Sequence, residues 1–241
     1  MKIGMRLPGT GETLESISRD RFAQAERLEH ELAVLEQAWR PAGHPFMVRW
    51  LGGELSADDL RLFAGEHYHA ACALADTAAA AARLADGLLA EQLAAYASGQ
   101  ERALSLWLRF AAALGWSGSA WYFGEDPLPE TVACAGAWRP DQAGGSLAEL
   151  LVTVWAVEST LAPLARAQCE ALRGRCGFDH AATRYFARRA RRGEHDAAVA
   201  QAGLTSLLPV TSPLALVCRA ELARRSYLEL VDGVARQLSG A

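Results

Sequence analysis

Apolar residues recur three and four positions apart along most of the chain, which is the spacing of an amphipathic α-helix. No segment alternates apolar and polar residues for long enough to predict a β-strand. Residues 116–146 are rich in proline, glycine and aromatic residues and are expected to be irregular. The pattern indicates helices at about residues 14–39, 46–51, 57–84, 90–114, 146–172, 179–202 and 213–238. The sequence therefore predicts an all-α fold in which roughly seven helices form a single bundle.

The N-terminal segment indicates how the chain divides into domains, and the net charge indicates which classes of partner to expect. Residues 1–12 contain Pro8 and three glycines, so we expect an irregular arm followed by one domain over residues 13–241. A net charge of −4 gives no basic field that would attract nucleic acid or an anionic membrane. The N-terminus lacks the apolar region of a secretory signal, and no uninterrupted apolar run approaches the roughly 20 residues that span a bilayer.

Five cysteines are scattered over the chain without a Cys-x-x-Cys pair. An odd number of cysteines, several of them in apolar helical segments, is typical of reduced thiols rather than of a disulfide framework. We therefore expect a cytoplasmic protein whose partner is a small-molecule substrate.

Residues 44–69 hold the strongest chemical candidate in the chain. Ser56 and Asp59 form the pattern of a capping box at the start of a long helix, and Glu66 and His69 lie one turn apart on a face of that helix. Carboxylate-bridged di-iron bundles use Glu-x-x-His on an inward helix face, because both side chains then reach one metal. We therefore expect Glu66 and His69 to act in catalysis.

Acids and a histidine on other helices could complete a metal site. Glu158 has almost only apolar neighbours in the sequence, and a buried carboxylate is costly unless it is paired or bound to a metal. Glu101 lies on an earlier helix, and His195 could be a late ligand. Iron, as one or two ions, is the expected metal, since carboxylate and imidazole ligands in a bundle suit it. The predicted metal ligands are Glu66, His69, Glu101, Glu158 and His195.

An arginine-rich segment lies on the helix predicted at 179–202. Arg188, Arg192 and His195 are spaced so that they form one stripe of this helix. If the stripe faces solvent, it is an ordinary charged surface. If it faces a pocket, it would hold an anionic substrate, most simply a carboxylate. The predicted substrate-binding residues are Arg188, Arg189 and Arg192.

Three segments together resemble the haem-oxygenase-like superfamily, which includes TenA (thiaminase II), the pyrroloquinoline-quinone synthase PqqC and the haem-oxygenase-like di-iron oxidases. The segments are HPF followed by GGELSADDLRLFAGEHYH, then residues 101–115, and finally WAVESTLAP followed by an arginine-rich helix. The similarity extends over roughly residues 14–235. It implies a haem-oxygenase-like helical bundle and suggests a homodimer.

The resemblance also places family residues on this chain, with several departures. The catalytic cysteine of thiaminase would fall near Thr153, so that chemistry lacks its nucleophile here. In the di-iron oxidases a histidine follows the middle acid, and its position is Leu104 in this chain. Their late His-x3-Asp-x2-His ligands would fall on Arg188, Arg192 and His195. Guanidinium groups cannot bind iron, so the di-iron ligand pattern is incomplete at these positions, and one iron or two stay open.

The resemblance to PqqC is carried by the Tyr-Phe-x-x-Arg pattern at Tyr185, Phe186 and Arg189, which face the substrate in that family. PqqC oxidises its substrate with O2 and no cofactor. We predict an oxidoreductase that uses O2 and a non-haem iron site to oxidise a small, carboxylate-bearing, amino-acid-like substrate, in a biosynthetic role. Three alternatives stay open: a metal-free oxidase resembling PqqC, a TenA-like C–N hydrolase, and a non-catalytic protein that only binds a small molecule. The predicted catalytic residues are Glu66, His69, Tyr185 and His195.

Overall fold

A computed structural model describes residues 14–116, 126–140, 145–208 and 212–239 of the chain. Within these ranges the protein has eight α-helices, a 3-10 helix at Pro41–Gly43 and no strand. The predicted all-α fold is confirmed, with eight helices where roughly seven were expected. The predicted arm at residues 1–12 lies outside the described residues. The helices are α1 (Leu14–Ala38), α2 (Pro45–Gly52), α3 (Ala57–Leu84), α4 (Gly87–Ala113), α5 (Pro129–Trp138), α6 (Leu147–Gly174), α7 (Arg184–Leu207) and α8 (Pro213–Ser239).

Capping boxes begin two of the long helices. In α3 the Ser56 hydroxyl accepts a hydrogen bond from Asp59 N at 3.1 Å, and Ser56 N donates to Asp59 Oδ2 at 3.0 Å. In α6 the Ser146 hydroxyl accepts from Glu149 N at 3.3 Å, and Ser146 N donates to Glu149 Oε2 at 2.7 Å. The predicted capping box of α3 is therefore confirmed, and α3 and α6, which carry His67 and Glu158, have well-defined starts.

Helix α6 forms the centre of the bundle and packs against α7, α8 and α3. Its length and composition alone would allow it to cross a membrane, but 78% of its most apolar 18-residue window is buried inside the fold. Nearly continuous burial is typical of the core helix of a bundle. The apolar sequence around Glu158 thus reflects packing on several sides.

An aromatic cluster joins α2, α3, α4 and α7 around this centre. The ring centres of Trp50 and Phe63 are 4.9 Å apart, and those of Trp107 and Phe186 are 5.7 Å apart. Trp107 Nε1 also donates a hydrogen bond to the carbonyl oxygen of Ala64 at 2.8 Å. Because these large side chains fill the bundle, they fix the faces of α3, α4 and α7 that point inward.

One helix was not predicted from the sequence, and the start of another differs from the prediction. Helix α5 occupies Pro129–Trp138, within the segment that was expected to be irregular. Helix α7 begins at Arg184 rather than near residue 179. Its start is delayed because the Asp179 side chain accepts a hydrogen bond from Ala182 N at 2.8 Å and stabilises a turn there.

Candidate functional site

Glu158, on α6, is the centre of a buried network of polar side chains, and only 1% of its surface is exposed. Its Oε1 atom accepts hydrogen bonds from the Tyr96 hydroxyl at 2.8 Å and from Gln100 Nε2 at 2.9 Å. Its Oε2 atom lies 3.5 Å from Arg189 Nη1. The buried carboxylate is therefore paired, and its partners are a guanidinium group, a phenol and an amide.

Arg189, on α7, supplies the positive charge that balances Glu158. Its Nη2 atom donates to Gln100 Oε1 at 3.3 Å, and its guanidinium carbon lies 5.4 Å from the centre of the Tyr185 ring. Burial acts to lower the pKa of Arg189, but the Glu158 carboxylate and the phenol groups of Tyr185, Tyr96 and Tyr227 together raise that pKa above its usual value. Arg189 is therefore a fixed internal cation.

Gly193 allows α7 to approach α6 closely beside this ion pair. A Cβ atom at Gly193 would lie 2.7 Å from Ala162 Cβ and 3.0 Å from Glu158 Oε2. Gly193 follows Arg189 by one turn, so the two residues share the face of α7 that packs on α6. A larger residue at this position would displace either the helix or the carboxylate.

A second buried pair, His67 and Tyr185, lies beside Arg189. His67 Nε2 and the Tyr185 hydroxyl oxygen are 3.1 Å apart. Burial, and then the Arg189 charge, lower the pKa of His67 to about 3, so the imidazole is neutral near pH 7. These residues border a cavity of about 10 Å³, which is room for about one water molecule. An organic substrate does not fit between these side chains.

A larger opening lies between α4 and α7, and we name it the arginine cleft. Its volume is about 510 Å³, which is within the usual range for small-molecule sites. Its lining includes Tyr96, whose hydroxyl also bonds to Glu158, and the carboxyl group of Asp196. Five guanidinium groups give the cleft a strong positive charge. They belong to Arg102, Arg184, Arg188, Arg191 and Arg192.

Arg188 is half-buried in the arginine cleft and lies against Gly99 of α4, where a Cβ atom would collide with Arg188 Nη2. Burial lowers the pKa of Arg188, and the charges of Arg189 and Arg102 act in the same direction, while Asp196 partly opposes them. Within the described residues, Arg188 forms no hydrogen bond or ion pair. Its guanidinium group can therefore pair with an anion that enters the cleft.

Asp196 is the acidic residue of the arginine cleft. Its side chain is 10% exposed, and its Oδ1 atom lies 4.0 Å from Arg192 Nη2. Burial, and then the Glu158 charge, raise the pKa of Asp196 to about 6, against the opposing effect of Arg192 and Arg188. A carboxyl group with this pKa exchanges a proton near neutral pH, as an acid–base catalyst must.

The five predicted metal ligands do not come together in the structure. Glu101 and His195 are exposed. Glu66 is buried, but its Oε2 atom accepts a hydrogen bond from Leu128 N at 3.1 Å, at the start of α5. His69 is half-buried two positions after His67, so the two rings leave α3 in different directions. As the structure places them, no three of these five described residues lie close enough together to hold a metal ion, and the iron site stays a prediction.

The surroundings of Glu158 do not suit iron either. In the parts of the chain that the structure describes, no three or more His, Cys, Asp and Glu side chains lie close enough to hold a metal ion. The groups that reach the Glu158 carboxylate belong to Tyr96, Gln100 and Arg189, and the guanidinium charge would repel a cation. The donor set therefore does not fit the predicted cofactor.

The register of α7 explains where the predicted arginine stripe lies. The face of α7 that packs on α6 carries Arg189, one position after Arg188. Arg188 and Arg192 line the arginine cleft together with Asp196, which lies one position after His195. His195 borders an adjoining cavity of about 100 Å³ that shares Asp196 with the cleft. The predicted stripe therefore borders an opening in the surface, and the buried ion pair with Glu158 is formed by Arg189.

The position that matches the thiaminase cysteine carries no nucleophile. The Thr153 hydroxyl donates a hydrogen bond to the carbonyl oxygen of Glu149 at 2.8 Å and accepts one from Arg219 Nε at 3.2 Å. Cys134 is also buried, and burial raises the pKa of its thiol to about 12. Neither group is a thiolate that could attack a substrate.

Four residues of this site were not predicted from the sequence. Tyr96 and Gln100 are four positions apart on a predicted helix, so the sequence could have predicted that their side chains lie on one face. His67 follows Phe63 by four positions, which places it on the apolar face of α3. Asp196 had no comparable signal, because only tertiary packing makes it a buried acid.

Comparisons with known proteins identify the family. The model of the TENA/THI-4/PQQC family matches residues 32–205, which is more than half of the chain. No curated protein matches the chain.

Solved structures with the same fold are distant in sequence. A domain of unknown function with a heme oxygenase-like fold from Shewanella denitrificans OS217 is 15% identical, with a TM-score of 0.72, and the match covers 89% of this chain and 93% of that one. A TenA homologue from P. horikoshii OT3 is 13% identical, with a TM-score of 0.67 and coverage of 91% and 98%. A TenA homologue from Pseudomonas syringae pv. tomato DC3000 is 12% identical, with a TM-score of 0.71 and coverage of 89% and 93%. The chain therefore belongs to the TENA/THI-4/PQQC family and has a haem-oxygenase-like fold.

Proposed function

We propose that this chain is an enzyme of small-molecule metabolism that binds a small organic anion in the arginine cleft, uses Asp196 as its acid–base group and needs no metal ion. The main support for the proposal is that the arginine cleft combines five arginines with one carboxyl group, Asp196, whose pKa is about 6. The volume of the cleft is about 510 Å³. An opening with convergent polar groups and a perturbed acid is the usual form of an active site.

A carboxylate is the substrate group that best matches this lining, because guanidinium groups bind carboxylates through paired hydrogen bonds. Arg188 and Arg192 would contact it, since both line the cleft and Arg188 has no internal partner among the described residues. Arg189 would have a different role from the predicted one. It is engaged by Glu158 and would hold that carboxylate in place behind Tyr96.

Asp196 would transfer the proton. In its ionised form the carboxylate can accept a proton from a bound substrate, and a pKa of about 6 makes that form abundant at neutral pH. His195 borders the adjoining cavity and could exchange this proton with solvent. The predicted catalytic role of Tyr185 is less well supported, because its hydroxyl is buried beside His67, away from the cleft.

Oxidation by O2 is the proposed reaction class, as the resemblance to PqqC implies. The substrate would lose two electrons and two protons, and O2 would become hydrogen peroxide. Both protons would end on the peroxide, one of them by way of Asp196. A TenA-like hydrolysis has less support, because the Thr153 hydroxyl is engaged by Glu149 and Arg219.

Oxygen uptake and peroxide formation test this proposal. Chelator-treated protein is incubated in air with a panel of amino acids and other small carboxylates. We expect at least one compound to consume O2 and release an equal amount of peroxide, and we expect Asp196→Asn to lower kcat by roughly 10²–10⁴-fold.

Glu194→Gln is the matched control, because it removes an exposed carboxylate from the same helix, where Glu194 pairs with Arg166 at 2.7 Å. This variant should keep the wild-type rate. Three results would contradict the proposal: turnover that requires added Fe(II), full activity of Asp196→Asn, or binding of the panel compounds without any turnover.

A further inference from the structure

A pocket of about 300 Å³ lies on another side of the bundle, between α1, the 3-10 helix, α6 and α8. It shares no lining residue with the arginine cleft. Trp39, Pro41 and Leu164 give it largely apolar walls, and Ser159 and Arg224 add polar groups. Its volume is at the lower end of the range for small-molecule sites.

Arg224, on α8, is the unusual residue of this pocket. It is 2% exposed, and its guanidinium carbon lies 4.6 Å from the centre of the Trp155 ring. Its Nη2 atom donates to the Ser159 hydroxyl at 2.7 Å. Its Nε and Nη1 atoms are buried and have no hydrogen-bond partner among the residues that the structure describes.

No carboxylate of the described part of the chain lies within ion-pair distance of Arg224. Arg189 is similarly buried, but the Glu158 carboxylate lies 3.5 Å from it. Among the described residues Arg224 has no ion pair, and the charge of Glu36, at the mouth of the pocket, acts on it only from a longer distance. Burial lowers the pKa of Arg224 to about 10, so the group stays positively charged near pH 7. A buried charge without a partner is costly, and an anion in the pocket would relieve that cost.

We propose that this pocket is a second binding site, which takes a small organic carboxylate with an aromatic or aliphatic body. The carboxylate would lie toward Arg224 and Ser159, and the apolar body would pack against Trp39 and Leu164. Arg224 is the buried cation of the pocket, and the exposed Arg40 and Glu36, which also line it, carry opposite charges. This charge balance matches a monocarboxylate better than a multiply charged ligand. The proposal is independent of the function assigned to the arginine cleft.

Titration with benzoate tests this site, with neutral benzamide as the isosteric control. Binding is followed by calorimetry and by tryptophan fluorescence, since Trp39 lines the pocket and Trp155 stacks on Arg224. We expect benzoate to bind at least tenfold more tightly than benzamide. Arg224→Gln should lower the affinity for benzoate at least tenfold.

Two further variants separate a binding defect from a folding defect and from binding in the cleft. Ala42 is exposed and lines the pocket, so Ala42→Trp should block benzoate without removing a buried charge. Arg188→Gln should weaken any binding of benzoate in the arginine cleft and leave the Arg224-dependent binding unchanged. Equal affinity for benzoate and benzamide would overturn the proposal, as would binding that survives Ala42→Trp or is lost only in Arg188→Gln.

Discussion

At the residue scale, Glu158 and Asp196 are acidic residues with very different surroundings. Glu158 receives two hydrogen bonds and an ion pair from Arg189. Asp196 forms an ion pair with Arg192, in which Oδ1 and Nη2 are 4.0 Å apart. Glu158 therefore serves as the counter-charge of Arg189, and after burial its charge is the next cause that raises the pKa of Asp196 to about 6.

The raised pKa of Asp196 predicts a pH-dependent stability. Because its pKa rises from 3.8 to about 6 on folding, ionisation of this residue opposes folding. Its favourable contribution is complete below about pH 4 and is lost as the pH rises through about 6. Asp196→Asn cannot lose this contribution. We therefore expect the free energy of unfolding of Asp196→Asn, minus that of the wild type, to rise by up to about 3 kcal/mol from pH 4 to pH 7.5, measured by urea denaturation.

The control for this measurement is Glu194→Gln, which removes one negative charge from the exposed face of the same helix. If the stability difference between Asp196→Asn and the wild type does not change over this pH range, Asp196 does not titrate as described.

Much of the residue-level site depends on tertiary packing that the sequence does not display. The apolar neighbours of Glu158 correctly indicated a buried acid. Its partner was not predictable, because a shift of one position in α7 decides whether Arg188 or Arg189 reaches it. The unpaired state of Arg224 likewise depends on which side chains surround it after folding.

At the element scale, helix starts with local signals could be predicted, and those without them could not. Ser56 and Asp59 are close in sequence and alone define the start of α3. Helix α5 was missed because it is short and lies in a glycine- and proline-rich segment, where periodicity gives little information. The start of α7 was misplaced because a turn at Asp179 precedes the helix.

The close packing of α7 on α6 predicts an intolerant position at Gly193. A Cβ atom there would meet Ala162 Cβ at 2.7 Å and Glu158 Oε2 at 3.0 Å. We expect Gly193→Ala to lower the free energy of unfolding by about 1–3 kcal/mol, measured by chemical denaturation, because the interface is already filled.

Gly136, in α5, is the matched control. It is exposed, and a Cβ atom there would meet nothing within 4 Å. Gly136→Ala should be neutral or stabilising by up to about 1 kcal/mol, since alanine is the better helix former. If Gly193→Ala behaves in the same way, the helices are not packed as closely as described.

At the scale of the whole molecule, the haem-oxygenase-like fold and family followed from three sequence segments, and both are confirmed. A shared fold carries many activities, so the reaction has to be argued from the site. The homodimer and the cytoplasmic location stay predictions. The proposed site is therefore the arginine cleft, beside the buried Glu158–Arg189 pair, and not the cluster of iron ligands expected from the sequence.

The most direct test of the central claim is whether the arginine cleft binds an organic anion. Malonate and the neutral malonamide are titrated calorimetrically at constant ionic strength, into the wild type and Arg188→Gln. Arg83→Gln serves as control, because Arg83 is exposed on α3 and does not line the cleft. We predict that malonate binds, that malonamide does not bind, and that of the two variants only Arg188→Gln weakens malonate binding, by at least tenfold. Equal binding of the two compounds, or equal affinity in the two variants, would contradict it.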